Sequence, residues 1–490
     1  MGGFAGDGHP IPSHDHWAFL LDEHQKYGHR QESEIFSERL PVLGVVSAPL
    51  RMGTCFHNSG AQRWSRQNAF PRDQSVPSRF GAGSTAHAAL KGEPVMVETK
   101  SALAENFSIT RGGPLHWLLV RLGYAGNERQ LVLRRALLAV LITWLPLFVF
   151  SVMDGKAFGH QVNIPFIRDY AVNVRFLIAL PILILAESGI DQRWRILVLE
   201  FLRSKLVADA DVPSFEAILE KGNRLRDCML PELLLLVIAF LPSLFVIKTE
   251  LLMSGISSWH TIGIGSSELS RAGWWFNYVS APLFRFLLLR WVWRLSLATF
   301  LLWLISRMRL YLVATHTDMA AGLGFLSQGQ KAFSPIVFAG GAVVAAQVAN
   351  SISYHGATLS SMKFPMLAYG VMAIILLVAP LLVVTPLLVK VKRKGLLEYG
   401  GLVTIHNQQF DQRWIQKEQP PDEVILGNPD PSSLIDLGSS FTVVRQMGII
   451  PIDKQALVTL ALAAALPMVP VVLLATPVDE LVRLVLKMLG

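Results

Sequence analysis

The sequence predicts an all-α protein: a polytopic transmembrane bundle of about seven helices with the N-terminus inside and the C-terminus outside. Three observations predict it. Hydrophobic residues make up 52% of the 490 residues and charged residues only 16%, a balance too apolar for an ordinary soluble enzyme of this length. Seven apolar runs approach the roughly 20 residues that a helix needs to cross hydrocarbon. Lys and Arg gather on alternate connecting segments, as the positive-inside rule requires. The net charge of +8 therefore reads as membrane orientation and not as nucleic-acid binding, because the basic residues sit in short blocks beside apolar runs. Cys55 and Cys228 are the only cysteines, which provides neither a disulfide framework nor a Cys-based metal spacing.

In chain order, residues 1–100 are rich in Gly, Ser, Pro, His and Arg and show no sustained helical period, so they are expected to be a disordered extension. His14, Asp15 and His16, with His9, His24 and His29 nearby, lack any fixed geometry for a metal. Organised sequence begins near Glu105, which makes Met96 an alternative start and 105–490 the membrane domain. Gly113 to Trp117 and the leucines after it read as a short interfacial helix, with Trp117 and Arg121 suited to a headgroup boundary. The crossings are expected near 136–153, 172–190, 233–247, 283–305, 336–350, 367–389 and 456–475. Basic residues before Ala136 place the first start inside, and Lys390, Lys392, Arg393 and Lys394 mark the same side again. Two inner polar segments follow from this topology. One is a helical pair over 191–229, with its second helix opening near Asp211 and Pro213 in its first turn. The other covers 395–454. Trp259, Trp274, Trp275 and Tyr278 are assigned to an aromatic belt on the outer side.

Proline recurs inside the runs, at Pro146, Pro181, Pro242, Pro380, Pro386, Pro467 and Pro470. Each removes an intrahelical hydrogen bond, and the freed carbonyl either meets a neighbouring helix or lines a polar path.

The candidate site lies in the fourth run. Arg290 and Arg294 are four residues apart and share one face, whereas Arg285 lies about 140° away from Arg290. A guanidinium in hydrocarbon needs a partner, a water-filled cavity or a bound anion. The acids placed to serve as partners are Asp169 towards the outer side and Glu187 and Glu232 towards the inner side. Two readings follow: structural ion pairs, with Arg285 snorkelling outward, or a site for a small organic anion or an anionic lipid headgroup. His316 and Asp318 form a second polar group, where Asp318 is expected to cap a helix starting at Met319. Gly322 and Gly324 there suit close helix packing.

No phosphate-cradling loop, His-Glu-x-x-His or Gly-x-Ser-x-Gly motif is present, so the sequence names no catalytic residue, metal or cofactor. The function classes left are a permease-like protein with an intramembrane anion site and a membrane scaffold or envelope-assembly protein. The lipid bilayer is the expected partner of either, and the oligomeric state is open.

Four blocks carry a resemblance: Phe107 to Leu115 (FSITRGGPL), Thr143 to Leu147 (TWLPL), Thr315 to Phe325 (THTDMAAGLGF) and Ser432 to Gly438 (SSLIDLG). They look like the recurring blocks of a group of uncharacterised bacterial multi-pass membrane proteins. The resemblance spans about Glu105 to the C-terminus and implies a bacterial inner membrane and about seven helices, with no activity. In that group the third block has His-Pro-Asp, and Thr317 departs from it.

Overall fold

A computed structural model shows what these runs become. It describes residues 101–121, 123, 129–159, 161–245, 257–263, 268–416, 424–425 and 427–475. The expected extension over 1–100 and the start at Met96 lie outside the described residues. In chain order α1 (Pro114–Arg121) precedes α2 (Gln130–Met153), α3 (Tyr170–Arg203), α4 (Val212–Asp227), α5 (Met229–Phe245) and α6 (Arg271–Ser306). After these come α7 (Leu326–His355), α8 (Leu359–Leu382), α9 (Thr385–Phe410), α10 (Pro429–Gln446) and α11 (Lys454–Ala475). Among the described residues, extended pairing is limited to isolated bridges such as Val207 with Leu310.

Among the described residues, six helices are long and apolar enough to cross a bilayer: α2, α3, α6, α7, α8 and α11. The expected third crossing is corrected. It falls on α5, of 17 residues, which reaches spanning length only together with α4, and that pair is bent by 42°. Pro231 explains the bend, because its nitrogen has no hydrogen to offer the Asp227 carbonyl one turn back. Cys228, between the two helices, is extended at φ −65° and ψ 131°. The sixth run is corrected for the same reason. α8 stops at Leu382, and α9 starts at Thr385 with Pro386 in its first turn. The block from Lys390 to Lys394 therefore rides on α9. The fifth crossing is longer than expected, since α7 reaches from Leu326 to His355.

Burial separates centre from periphery. Half of the apolar stretch of α6 and of α7 (50%) is buried inside the protein, against 22% in α2 and α8. The outer helices carry exposed apolar stripes at four-residue spacing: Leu133, Leu137 and Leu141 on α2; Leu367, Val371 and Ile375 on α8; Val458, Leu462 and Leu466 on α11. Contiguous apolar stripes without protein cover belong against lipid.

The first turn of α3 is pinned by Asp169. Its carboxylate accepts from the Val172 N–H at 3.1 Å, from Asn350 Nδ2 at 2.8 Å and from Trp259 Nε1 at 3.0 Å. Trp259 is accordingly fully buried, which corrects its assignment to an interfacial belt: the carboxylate satisfies the indole N–H. His260 stacks on Trp259 with ring centroids 3.7 Å apart and meets Phe276 edge-on.

The expected polar segment over 395–454 forms a helical hairpin, α9 against α10. A Cβ on Gly395 would lie 2.7 Å from Ala314 Cβ and 3.0 Å from Val444, whereas one on Gly401 would meet nothing within 4 Å. Opposite outcomes are expected from two helical glycines. Gly395→Val should destabilise by about 1–3 kcal/mol through overpacking, and Gly401→Ala should stabilise by up to about 1 kcal/mol. Thermal melting of both variants checks the sign.

Burial, partly offset by Asp169 and reinforced by Arg175, pushes the His260 imidazole down to about 4 from its ordinary 6.5. As pH falls the unfolded chain then takes up its proton first. Stability should hold above about pH 6.5 and decline from there towards pH 4, and His260→Phe should flatten that decline. A wild-type melting profile that is level between these values would remove the buried neutral imidazole.

Candidate functional site

The segment before α1 creates the floor of the site. Gly112 (φ 146°) and Gly113 (φ 85°) lie in backbone regions that side chains rarely adopt, and neither could carry a Cβ. One on Gly112 would meet Asp227 Oδ1 at 2.1 Å, and one on Gly113 would meet Glu232 Oε1 at 2.6 Å. Without side chains, this segment lies directly on the carboxylates. Leu115, one residue past the Pro114 that opens α1, donates its N–H to Glu232 Oε2 at 2.9 Å.

Four helices converge above it. Arg290 of α6, buried at 5% exposure, donates from Nε to Glu232 Oε1 on α5 at 2.9 Å, and its Nη1 lies 3.5 Å from Glu187 Oε1 on α3. Arg294, equally buried, donates from Nη1 to Glu187 Oε1 at 2.9 Å and from Nη2 to the Thr110 carbonyl at 3.0 Å. Its guanidinium also lies over the Trp291 ring, 4.7 Å from the centroid. From α2, Arg135 Nη1 approaches Glu187 Oε2 at 3.4 Å. The Glu187 carboxylate thus touches three guanidiniums.

One turn along α3, Asp191 is fully buried. It accepts from Ser108 Oγ and the Thr110 N–H and faces Arg111 at 3.4 Å and Arg195 at 3.7 Å. Arg226 reaches the Ser108 carbonyl and pairs with Asp227. His116 on α1 is half-buried, and its imidazole is held below its ordinary value by burial first and then by Arg290 and Arg135. It is a neutral neighbour of the charges at pH 7.

The structure brings Arg290, Arg294, Glu187 and Glu232 together. Asp169 stands apart: it is 18 residues before Glu187 on the same helix, about 27 Å along the axis, and its partners are those named above. Arg285 does not snorkel outward, because its Nη1 donates to the Ala239 carbonyl at 3.2 Å and to Ser243 Oγ at 3.0 Å, both on α5. Sequence reasoning missed Arg135, which reads as a positive flank of the first run. It also missed the backbone of Thr110 and Leu115, whose only signal was the Gly-Gly-Pro turn between them.

His316 and Asp318 form a separate group in the turn after α6, with Nδ1 2.8 Å from Oδ1. The expected helix at Met319 is corrected. Met319 and Ala321 have φ 54° and 55° and Gly322 φ 94°, so the backbone curls round the carboxylate and the next helix starts at Leu326. Asp318 accepts the N–H groups of Ala320, Gly322 and Gly324 at 2.9, 3.1 and 2.8 Å. Burial raises its carboxyl, but these donors and His316 outweigh that and hold it below the ordinary value. Among the described residues, no three His, Cys, Asp or Glu side chains converge as metal ligands would.

Removing one member of a buried ion pair strands the other. Arg294→Leu should lower stability by about 3 kcal/mol, and Arg294→Leu combined with Glu187→Leu should recover much of that loss. Thermal unfolding of the single and double variants measures the difference; equal losses in both would deny the pairing. No known family matches this chain, and neither curated proteins nor solved structures resemble it, so its function rests on these side chains.

Proposed function

We propose that the chain is a permease-like integral membrane protein that takes a small organic anion at the seat formed by Arg135, Arg290 and Arg294, with Glu187 occupying that seat in the closed state. One observation carries the reading: the carboxylate of Glu187 is placed among three guanidiniums as a bound carboxylate would be. Arginine is the side chain suited to planar, multiply hydrogen-bonded recognition of carboxylates. A second carboxylate, Glu232, neutralises Arg290 from the other side, and the neutral His116 adds no competing cation. Exchange of Glu187 for a substrate carboxylate keeps the guanidiniums paired throughout, which avoids the penalty of a naked buried charge. The proposed home is a bacterial inner membrane with the N-terminus inside and the C-terminus outside, supported by the basic block at Lys390 to Lys394.

A second reading, a membrane scaffold, is favoured by the α9–α10 hairpin. It presents Leu397 at 79% exposure and Ile435 at 67%, large apolar side chains on a segment with basic residues at its base.

The test uses the full chain in phosphatidylcholine vesicles and in detergent, with a panel of mono- and dicarboxylates. At least one anion should raise the wild-type melting temperature and be taken up. Glu187→Gln should tighten its binding about tenfold, the effect of removing about 1.4 kcal/mol of competition, and Arg294→Gln should abolish it. Neither uptake nor stabilisation in wild type and Glu187→Gln would return the cluster to a structural role. Under the scaffold reading, Leu397→Ser with Ile435→Ser should lose crosslinks to a partner in native membranes while melting like wild type.

A further inference from the structure

A crevice on the opposite flank of α3 from the arginine cluster offers a second site. α3 and α7 pack side by side, and between them opens a cavity of about 480 Å³. Its lower wall is apolar, formed by Ile182 and Leu185 of α3 and Pro335 of α7, and its mouth is polar, with Ser188, Arg193, Lys331 and Ser334. No carboxylate lines it.

The two cations differ in how they are held. Lys331 Nζ donates to Asp453 Oδ2 at 3.2 Å and to Gln455 Oε1 at 2.9 Å, which orients the ammonium and leaves one of its three donors. Arg193 is exposed and makes no hydrogen bond or ion pair among the described residues. Both stand at the end of the bundle that carries the basic block. The turn before α7 packs there against the connection after α3, through the Tyr311 N–H to the Leu206 carbonyl, and against Gly448, whose N–H reaches the Met319 carbonyl.

Depth and chemistry agree. From Arg193 down to Ile182 is eleven residues, about 16 Å at 1.5 Å per residue, close to half of a hydrocarbon core of about 30 Å. Below that level the same helix faces continue into a second cavity, lined by Val174 and Ile178 on α3 and by Phe338, Ala342 and Ala346 on α7. On α7 the steps from Lys331 through Ser334, Phe338 and Ala342 to Ala346 are three or four residues, so that set forms a single face, and on α3 the residues of both levels line cavities that α7 bounds. The surface is therefore a groove that is basic at headgroup height and apolar from there to the bilayer middle. Basic pockets between membrane helices on the inner side suit anionic headgroups.

We propose that this groove binds one anionic phospholipid of the inner leaflet, its phosphate between Arg193 and Lys331 and an acyl chain along Leu185 and Ile182. The site is separate from the arginine cluster and does not depend on the permease reading. The phosphate chemistry could equally be met by free inorganic phosphate, and the test separates the two.

The full chain, purified in mild detergent, is loaded with phosphatidylglycerol or phosphatidylcholine and washed. Retained lipid is counted by native mass spectrometry, and melting is followed in the same samples and with inorganic phosphate alone. Wild type should retain one phosphatidylglycerol in preference to phosphatidylcholine and melt higher with it. Arg193→Gln should reduce that retention about fivefold or more, the worth of one basic residue at an anionic surface, while melting as wild type does in phosphatidylcholine. Arg393→Gln, an exposed cation at the same end but outside the groove, should leave retention unchanged. Equal losses in the two variants would reduce the effect to general surface charge, and absence of any preference for phosphatidylglycerol would remove the site. Full stabilisation by inorganic phosphate, with none from the lipid, would overturn the lipid as its occupant.

Discussion

Burying Arg290 and Arg294 is the constraint on which the rest of the bundle depends. A guanidinium taken out of water is tolerated only where carboxylates and carbonyls replace the solvent, and here those partners come from three separate places in the chain. Glu187 fixes the rotation of α3, Glu232 fixes α5, and the Thr110 carbonyl fixes the segment before α1. Each contact also sets a distance, because a pair at 2.9 Å leaves no room for a side chain between the partners. That is why Gly112 and Gly113 occupy the turn over Asp227 and Glu232, where any Cβ would strike a carboxylate oxygen or a guanidinium.

The second carboxylate on α3 extends the same logic towards the membrane surface. Glu187 and Asp191 are four residues apart and share a face, as Arg290 and Arg294 do on α6. Glu187 is met by arginines from within the bundle, whereas Asp191 is met by Ser108, Thr110, Arg111 and Arg195 at the end of it. The Ser108 to Leu115 segment threads between the two levels and serves both. A polar plug at one end of an apolar bundle results, buried at Asp191 and Arg294 and reaching solvent through Arg111 and Arg195.

How much of this was legible in sequence depends on the range of each interaction. Arg290 and Arg294 stood out because a charge within an apolar run needs a reason, and Glu187 and Glu232 stood out as acids at matching depth. Asp169 was read at the outer side, and the course of α3 sets it about 27 Å from Glu187, out of reach of the arginines. The breaks before Pro231 and Pro386 follow from the N–H that proline lacks, but Pro242 and Pro380 leave their helices unbroken, so sequence did not show which prolines break a helix, nor that the Pro231 break bends α4 from α5 by 42°. Asp318 was misread because a helix cap and a carboxylate wrapped by its own backbone share the same local pattern of Asp before small residues. The positive φ of Met319 and Ala321 separates them, and nothing in a methionine or alanine announces it.

Two π-helical turns link the ends of the bundle. One covers Arg175–Ala179 on α3 and the other Phe276–Ser280 on α6, and they meet where Phe176 contacts Phe276 edge-on, with centroids 6.2 Å apart. A π turn inserts about one residue into the α-helical register and so rotates everything after it by about 100°. In α3 the rotation separates the face that carries Asp169 towards Asn350 from the face that carries Glu187 towards α6. In α6 it lies about two to three turns before Arg290 and sets which side of the helix the arginines occupy. The carbonyls loosened by such turns are taken up locally: Ser243 Oγ donates to the Asn277 carbonyl and Asn277 Nδ2 returns a bond to the Ser243 carbonyl. The position of the arginine cluster is therefore determined as much by these two insertions, some 15 Å away along the helices, as by the charges that meet within it.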